Sequence, residues 1–172
     1  MNTKRIYSGI VLFIAASLTA GASFAGSASA NMTVSATVAA SCTVSANPLN
    51  FGAYDQIGAN AAFANPLDAT STVDVTCTNG TAATVELNYG GNSVVASGTT
   101  RAMSDGGTNY LNYELYQDSG HTTVWGMNSD SLGQNYTGTG SQTSLTVYGR
   151  IPGNQKPAVA NYSDTVDVFV NF

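Results

Sequence analysis

Histidine occurs once in these 172 residues, at His121, and cysteine twice, at Cys42 and Cys77. A catalytic triad therefore has one candidate base. His121 follows Gly120 in a polar turn and is read as an exposed loop residue. Two cysteines and one histidine cannot complete a four-ligand zinc shell once the cysteines pair. Charge is also sparse, with five Lys and Arg against ten Asp and Glu. The carboxylates are scattered, and Asp74, Glu86, Glu114 and Asp167 fall on the solvent parity of extended segments, so neither an acid–base pair nor a calcium site is expected. No G-x-S-x-G elbow, Walker motif or dinucleotide glycine fingerprint occurs. The reading is a chain that is not an enzyme and holds no metal or cofactor.

Helical periodicity is missing too, and so is any apolar run of bilayer length. The longest apolar stretch starts at Ile6, behind Lys4 and Arg5, and gives way to small residues from Gly21. That is the layout of a secretory signal, expected over residues 1–30, with small-x-small cleavage sites after Ala25 and after Ala30, the second preferred. The remaining residues keep only Arg101, Arg150 and Lys156 as cations, which disfavours nucleic acid and anionic membrane as partners. An exported protein with two cysteines favours a Cys42–Cys77 disulfide. The chain-entropy model assigns such a loop about 3–4 kcal/mol, less any strain.

What the sequence has in quantity is alternation. Residues 71–78 place Val73, Val75 and Cys77 on one parity, and residues 83–89 do the same with Val85, Leu87 and Tyr89. Asn79-Gly80 between them reads either as a hairpin turn or as a turn from one sheet of a sandwich to the other. Further strands are expected at residues 110–116 (Leu111, Tyr113, Leu115), 123–125, 144–151 (Leu145, Val147, Ile151) and 164–172 (Val166, Val168, Val170, Phe172), with short pieces at 48–52 and at Val94 and Val95. Residues 54–68 and 126–142 read as loops, and Arg101-Ala102-Met103 as a lead into a turn. Tyrosine is over-supplied, with nine in all. Tyr110, Tyr116 and Tyr148, with Phe169, fall on outward parities and suit either an interaction surface or an amphipathic cover for a sheet face. Six or seven short strands with turn signals between them argue an all-β sandwich.

Residues 31–41, NMTVSATVAAS, stand apart from this series. Met32, Val34, Ala36 and Val38 share one parity, against Thr33, Ser35 and Thr37, so the segment reads as a strand whose partner has to be found.

The run CTVSANPLNFGAY at residues 42–54 and VDVTC at 73–77 resemble the spore coat protein U family. So do RAM at 101–103, YLNYELY at 110–116, TVWG at 123–126, LTVYGRIP at 145–152 and YSDTV at 162–166. The family is similar to the pilin subunits of the archaic chaperone-usher pathway. The resemblance implies an incomplete immunoglobulin-like sandwich over residues 42–172, lacking its last strand, with residues 31–41 as an N-terminal donor-strand extension. It further implies a periplasmic chaperone that lends a strand, an outer-membrane usher, and neighbouring pilin subunits that exchange strands to form a surface fimbrium, a homopolymer supporting adhesion or biofilm formation. Met32, Val34, Ala36 and Val38 become the donor residues, and Val166, Val168, Val170 and Phe172 the acceptor-groove strand. The competing readings are a self-complemented secreted coat or binding module, in which residues 31–41 pair with their own sheet, and a tip adhesin, for which a second domain has no room.

Overall fold

The computed structural model describes residues 25–93 and 100–172. The apolar core of the expected signal and the strand piece at Val94 and Val95 lie outside these residues. The chain forms two compact units, residues 1–36 and 37–172. In the first, described residues 25–36 carry no regular secondary structure and are exposed. Met32 and Val34 are each 86% exposed. The strand expected across residues 31–41 is not formed, because alternation alone supplies no ladder partner for the backbone.

The described residues of the second unit are all-β, with eight strands in two sheets. They are β1 (Cys42–Ala46), β2 (Leu67–Cys77), β3 (Ala82–Leu87), β4 (Arg101–Ser104), β5 (Tyr110–Tyr116), β6 (Gln134–Thr137), β7 (Thr143–Ile151) and β8 (Val168–Asn171). A five-stranded sheet runs β1-β2-β7-β5-β4 and a three-stranded sheet β6-β3-β8. Every ladder is antiparallel. This is a sandwich in which alternate side chains of both sheets meet in one core.

The alternation in β2 buries Val73, Val75 and Cys77, and that in β3 buries Ala83, Val85 and Leu87. The Asn79-Gly80 turn does not close a hairpin. β2 is paired on one side with β1 and on the other with β7, so no edge is left for β3, and the turn carries the chain to the other sheet. Gly80 takes φ +81° there, a left-handed value that suits glycine. The Gly80 N–H donates to Gly138 O at 2.9 Å, and the Gly138 N–H donates to Thr81 O at 2.8 Å, fastening the turn to the end of β6.

Among the described residues the strand number exceeds the expected six or seven because β1, β4 and β6, short edge strands, stand outside the expected series. Conversely, residues 48–52 form no strand, although Leu49 and Phe51 pack against the core. Around residues 123–125 only an isolated bridge, Tyr116 to Val124, remains.

Trp125 is fully buried and its indole Nε1 donates to Val85 O at 2.9 Å. Beside it lies a buried cation. The Arg101 guanidinium donates to Asn88 O (2.9 Å), Leu87 O (3.0 Å) and Trp125 O (2.8 Å), and it pairs with the Glu114 carboxylate. It stands 5.3 Å over the Tyr89 ring. Arg101 thereby joins β4 and β5 of one sheet to the end of β3 in the other. Glu114 was expected on the solvent side; instead its side chain is 15% exposed. Burial pushes its carboxyl above the usual range while Arg101 opposes the shift.

Glu86 departs from the solvent parity in the same way. It is buried, accepts a hydrogen bond from the Asn171 side chain, and is covered by the loop at Gly133, where an added Cβ would stand 3.3 Å from its Cγ. His121 is also not the exposed loop residue expected. Its side chain is 7% exposed, edge-on to Tyr116 and Tyr148 with ring centroids at 5.1 and 6.3 Å. Tyr116 and Tyr148 are paired in the β5–β7 register, so their rings make the seat that the turn drops its imidazole into.

Candidate functional site: the open edge of the sandwich

The two edges that flank the sandwich opening are β1 and β8. The cystine lies on the first. Cys42 and Cys77 are bonded, as expected from the sequence, and are directly opposite in the β1–β2 register. The Thr78 N–H donates to Ser41 O and the Asn47 N–H to Thr72 O, both at 2.9 Å. These bonds set the phase of the antiparallel ladder, so the backbone groups of Cys42, Val44 and Ala46 point away from β2, off the edge. Val44 is 38% exposed although its cross-strand partner Val75 is 0% exposed. Side chains of opposed residues share a face, so Val44 belongs to the core side with nothing laid over it among the described strands.

Among the described strands β8 pairs with β3 alone. The Asn88 N–H donates to Asp167 O at 3.0 Å, and the alternation that follows turns the N–H and C=O of Val168 and Val170 toward the free edge. Their side chains pack against the core, as does that of Val166 just before the strand. The residues that face inward are thus the ones whose backbone groups are open to a further strand. Phe172 does not share this position. It lies beyond the last ladder pair and is 61% exposed, since β8 ends at Asn171.

Between the chain that follows β1 and the chain that precedes β8 the core opens into two cavities. One, of about 430 Å³, lies between Leu49 and Phe51 on one wall and Tyr162, Val166 and Val168 on the other, with Val73 and Val147 at its floor. The second, of about 540 Å³, continues past Tyr54 and Ile151 to Val159. Leu49, Phe51, Met103 and Tyr162 line both, so the two cavities adjoin, and together they are called the groove. The first cavity is lined mainly by aliphatic and aromatic side chains, which suits apolar side chains delivered from an extended backbone, and the second is more polar, with Asn50, Gln56 and Asn161 in its lining.

The wall in front of β8 is held firmly. Ser104 and Ser163 exchange backbone hydrogen bonds at 2.9 and 3.0 Å. The Asp164 carboxylate accepts from the Gly91 N–H (2.9 Å), Asn92 Nδ2 (3.0 Å), the Thr165 N–H (2.9 Å) and the Tyr113 hydroxyl (2.8 Å). Burial, with the adjoining Asp164 charge, pushes the Tyr113 hydroxyl far above the usual tyrosine range, so it stays protonated and donating. Gly90 takes φ +78° at this point, and a Cβ on it would fall 2.0 Å from Asp164 Oδ2. At the far end the Tyr54 hydroxyl donates to Pro152 O at 3.0 Å and accepts from the Gln155 N–H at 2.9 Å. The groove is therefore framed by hydrogen bonds on its walls while its apolar floor stays open.

Of the donor residues expected from the sequence, Val38 is 82% exposed, Ala36 is exposed, and Met32 and Val34 were described above. Leu49, Phe51, Tyr113, Tyr162 and Asp164 were not singled out as groove residues. Among the described residues no three His, Cys, Asp or Glu side chains are grouped as metal ligands, and no helix is long and apolar enough to cross a membrane.

The Spore Coat Protein U domain profile matches residues 28–169. The chain belongs to that family. Among its relatives is Protein U of Myxococcus xanthus, 33% identical over 128 residues, a span that covers 72% of this chain and 71% of that protein. A solved structure with the same fold is the pre-assembly complex of chaperone and tip adhesion subunit from the archaic chaperone-usher Csu pili of Acinetobacter baumannii. The match has a TM-score of 0.54 and 26% sequence identity, covering 79% of this chain and 40% of that one. This Spore Coat Protein U chain thus spans about two fifths of the structure it resembles. The family match begins ahead of Met32 and so takes in the exposed alternating segment and β1, and it ends within β8, at Phe169.

Proposed function

We propose that this Spore Coat Protein U chain is a structural subunit of a surface pilus of the archaic chaperone-usher type, polymerising by donor-strand exchange. The observation that carries the reading is the groove between β1 and β8, walled by Leu49, Phe51, Tyr162 and Val166 and edged by the outward-turned backbone of Val168 and Val170. Residues 1–30 act as the export signal, 31–41 as the donor extension and 42–172 as the acceptor domain. Met32, Val34, Ala36 and Val38 enter the groove of the next copy, and Val166, Val168 and Val170 receive them, with Phe172 at the end of the acceptor strand.

The exchange is β-augmentation, in which ladder bonds supply affinity and alternate side chains supply register. Before assembly the groove exposes apolar walls and an unpaired strand edge, a combination prone to aggregation. A periplasmic chaperone covers it and an outer-membrane usher passes the subunit to its neighbour at the cell surface, where the fibre supports adhesion or biofilm formation. Val38, which belongs to the same unit as the groove, is 82% exposed, whereas a self-complemented module would cover it.

The test is electron microscopy of material sheared from cells that make the protein, with mass spectrometry of its subunit. Thin fibres built of this chain are expected. Its recovery only as a monomer free in the medium would overturn the reading.

A further inference from the structure

The donor extension is tied to its own domain almost to the last residue that can enter a neighbour. Thr78 Oγ1 donates to Ala39 O at 3.3 Å, and the Thr78 N–H donates to Ser41 O at 2.9 Å. Val38 is therefore one residue, about 3.8 Å of Cα separation, from backbone already fastened to the turn that follows β2. A Val38 side chain seated in another molecule's groove brings that turn up against the mouth of the groove.

The mouth it meets follows from strand direction. Every ladder in the domain is antiparallel, and a donor continuing that order beside β8 leaves the acceptor at the start of β8. There the groove runs out along residues 157–162. Two loops surround this end, joined by Gln56 Nε2 donating to Pro157 O at 3.2 Å and the Asn154 N–H donating to Asn60 O at 2.9 Å. They carry large apolar residues facing solvent: Ile57 at 89% exposure, Phe63 at 78% and Val159 at 101%.

Resting on the donor-strand reading, we propose that the turn after β2 in one copy packs on the Ile57 and Val159 loops of the copy that receives its extension, making a second, body-to-body interface in the fibre. The turn suits that place. Thr78, Asn79, Gly80 and Thr81, with Gly138, Thr139, Gly140 and Ser141 bonded beside them, include no ionisable side chain, and the Gly140 N–H donates to Cys77 O at 3.0 Å. The turn therefore brings no charge of its own to be stripped of water on the apolar loops. The contact is head-to-tail, so it repeats along the fibre.

Cysteine pairs test it, because a disulfide forms only when Cβ atoms come within about 4.5 Å. Asn79→Cys with Val159→Cys is introduced into the full-length chain, and assembled material is oxidised and boiled without reductant. A ladder of covalent multimers that collapses on reduction is the expected result. The pair Asn79→Cys with Ile57→Cys serves if the first variant fails to fold, with the same expectation. Multimers that form before boiling, with neither pair cross-linking, would overturn the body contact and leave donor-strand exchange standing. Equal cross-linking by Val159→Cys alone would overturn it too, since like loops would then be meeting. If the unsubstituted chain makes no multimers at all, both readings fall.

Discussion

The Tyr113 hydroxyl donates to the Asp164 carboxylate at 2.8 Å, joining the core side of β5 to the wall that leads into β8. Asp164 is one residue past the Ser104–Ser163 bridge and two before Val166, so the same carboxylate holds the groove wall to the sheet beneath it. Under the proposed strand exchange the groove needs walls that stay apart while empty, and this contact braces one of them.

Asp164→Ala strands the Gly91, Thr165 and Tyr113 donors. Tyr113 is the buried one, and its stranded hydroxyl costs about 1–3 kcal/mol, whereas Gly91 and Thr165 are exposed and water replaces the carboxylate at their N–H groups. Hydrogen exchange at residues 161–168 should quicken more than in β2. Unchanged exchange there would mean that the Ser104–Ser163 bridge alone holds the wall.

Arg101→Met leaves Glu114 buried without its cation and three carbonyls without a donor. Breaking one side of a buried ion pair costs about 3–5 kcal/mol, so the urea midpoint should fall by a large part of the domain's stability. Arg101→Lys should rescue little, because an ammonium cannot reproduce the planar fork that spans Leu87, Asn88 and Trp125.

Acid should weaken the domain through its exposed aspartates. Asp68 is held below the usual carboxylate range first by its hydrogen bonds to Arg150, and Asp118 first by the Thr123 N–H. A carboxyl depressed in the folded state lends stability above its unfolded pKa, about 3.9, and that stability is lost as pH falls through the folded value. Glu114, raised by burial, works in the opposite sense and loses stability as pH rises. Denaturant midpoints from pH 6 down to pH 2 should therefore fall, and Asp68→Asn should flatten the fall. An equally steep decline in Asp68→Asn would assign the acid sensitivity to other carboxylates.

Replacing Cys42 and Cys77 together by serine frees β1, the strand from which the extension emerges. The loss is about 3–4 kcal/mol by the loop-entropy model, read as a lower denaturation midpoint. Proton exchange in residues 42–46 should increase before that in β7. Uniform change across both sheets would show that the cystine acts on the unfolded chain alone.

The strands legible in the sequence are those with one buried and one wet face. β2, β5 and β7 show it, and residues 110–116 match β5 at both ends. β1, β4 and β6 were missed: each is an edge strand of four or five residues, held by its ladder partner. Glu86, Glu114 and His121 sat on outward or loop positions in the pattern. The covering loop at Gly133, the reach of Arg101 and the Tyr116–Tyr148 pair are contacts distant in sequence that periodicity does not encode. The groove divides in the same way. The parity of Val166, Val168 and Val170 could be read directly, whereas the wall of Leu49, Phe51, Tyr162 and Asp164 depends on how loops pack across the open edge.

Val34→Asp should stop exchange without unfolding the domain, since a carboxylate would enter an apolar groove with no partner. Thermal denaturation of the chaperone-free monomer should be unchanged, because Val34 is exposed there, while multimer yield falls sharply. Normal yield would mean that another parity of the extension enters the groove.

The central claim is that residues of one copy fill the open edge of the next, and the unboiled SDS gel of a chain lacking residues 31–38 tests it most directly. Ala39 and Ser41 stay in place, so their bonds to Thr78 are kept. The full chain should give a ladder of multimers that boiling reduces to monomer, and the shortened chain should give monomer alone. The same ladder from the shortened chain would contradict the account.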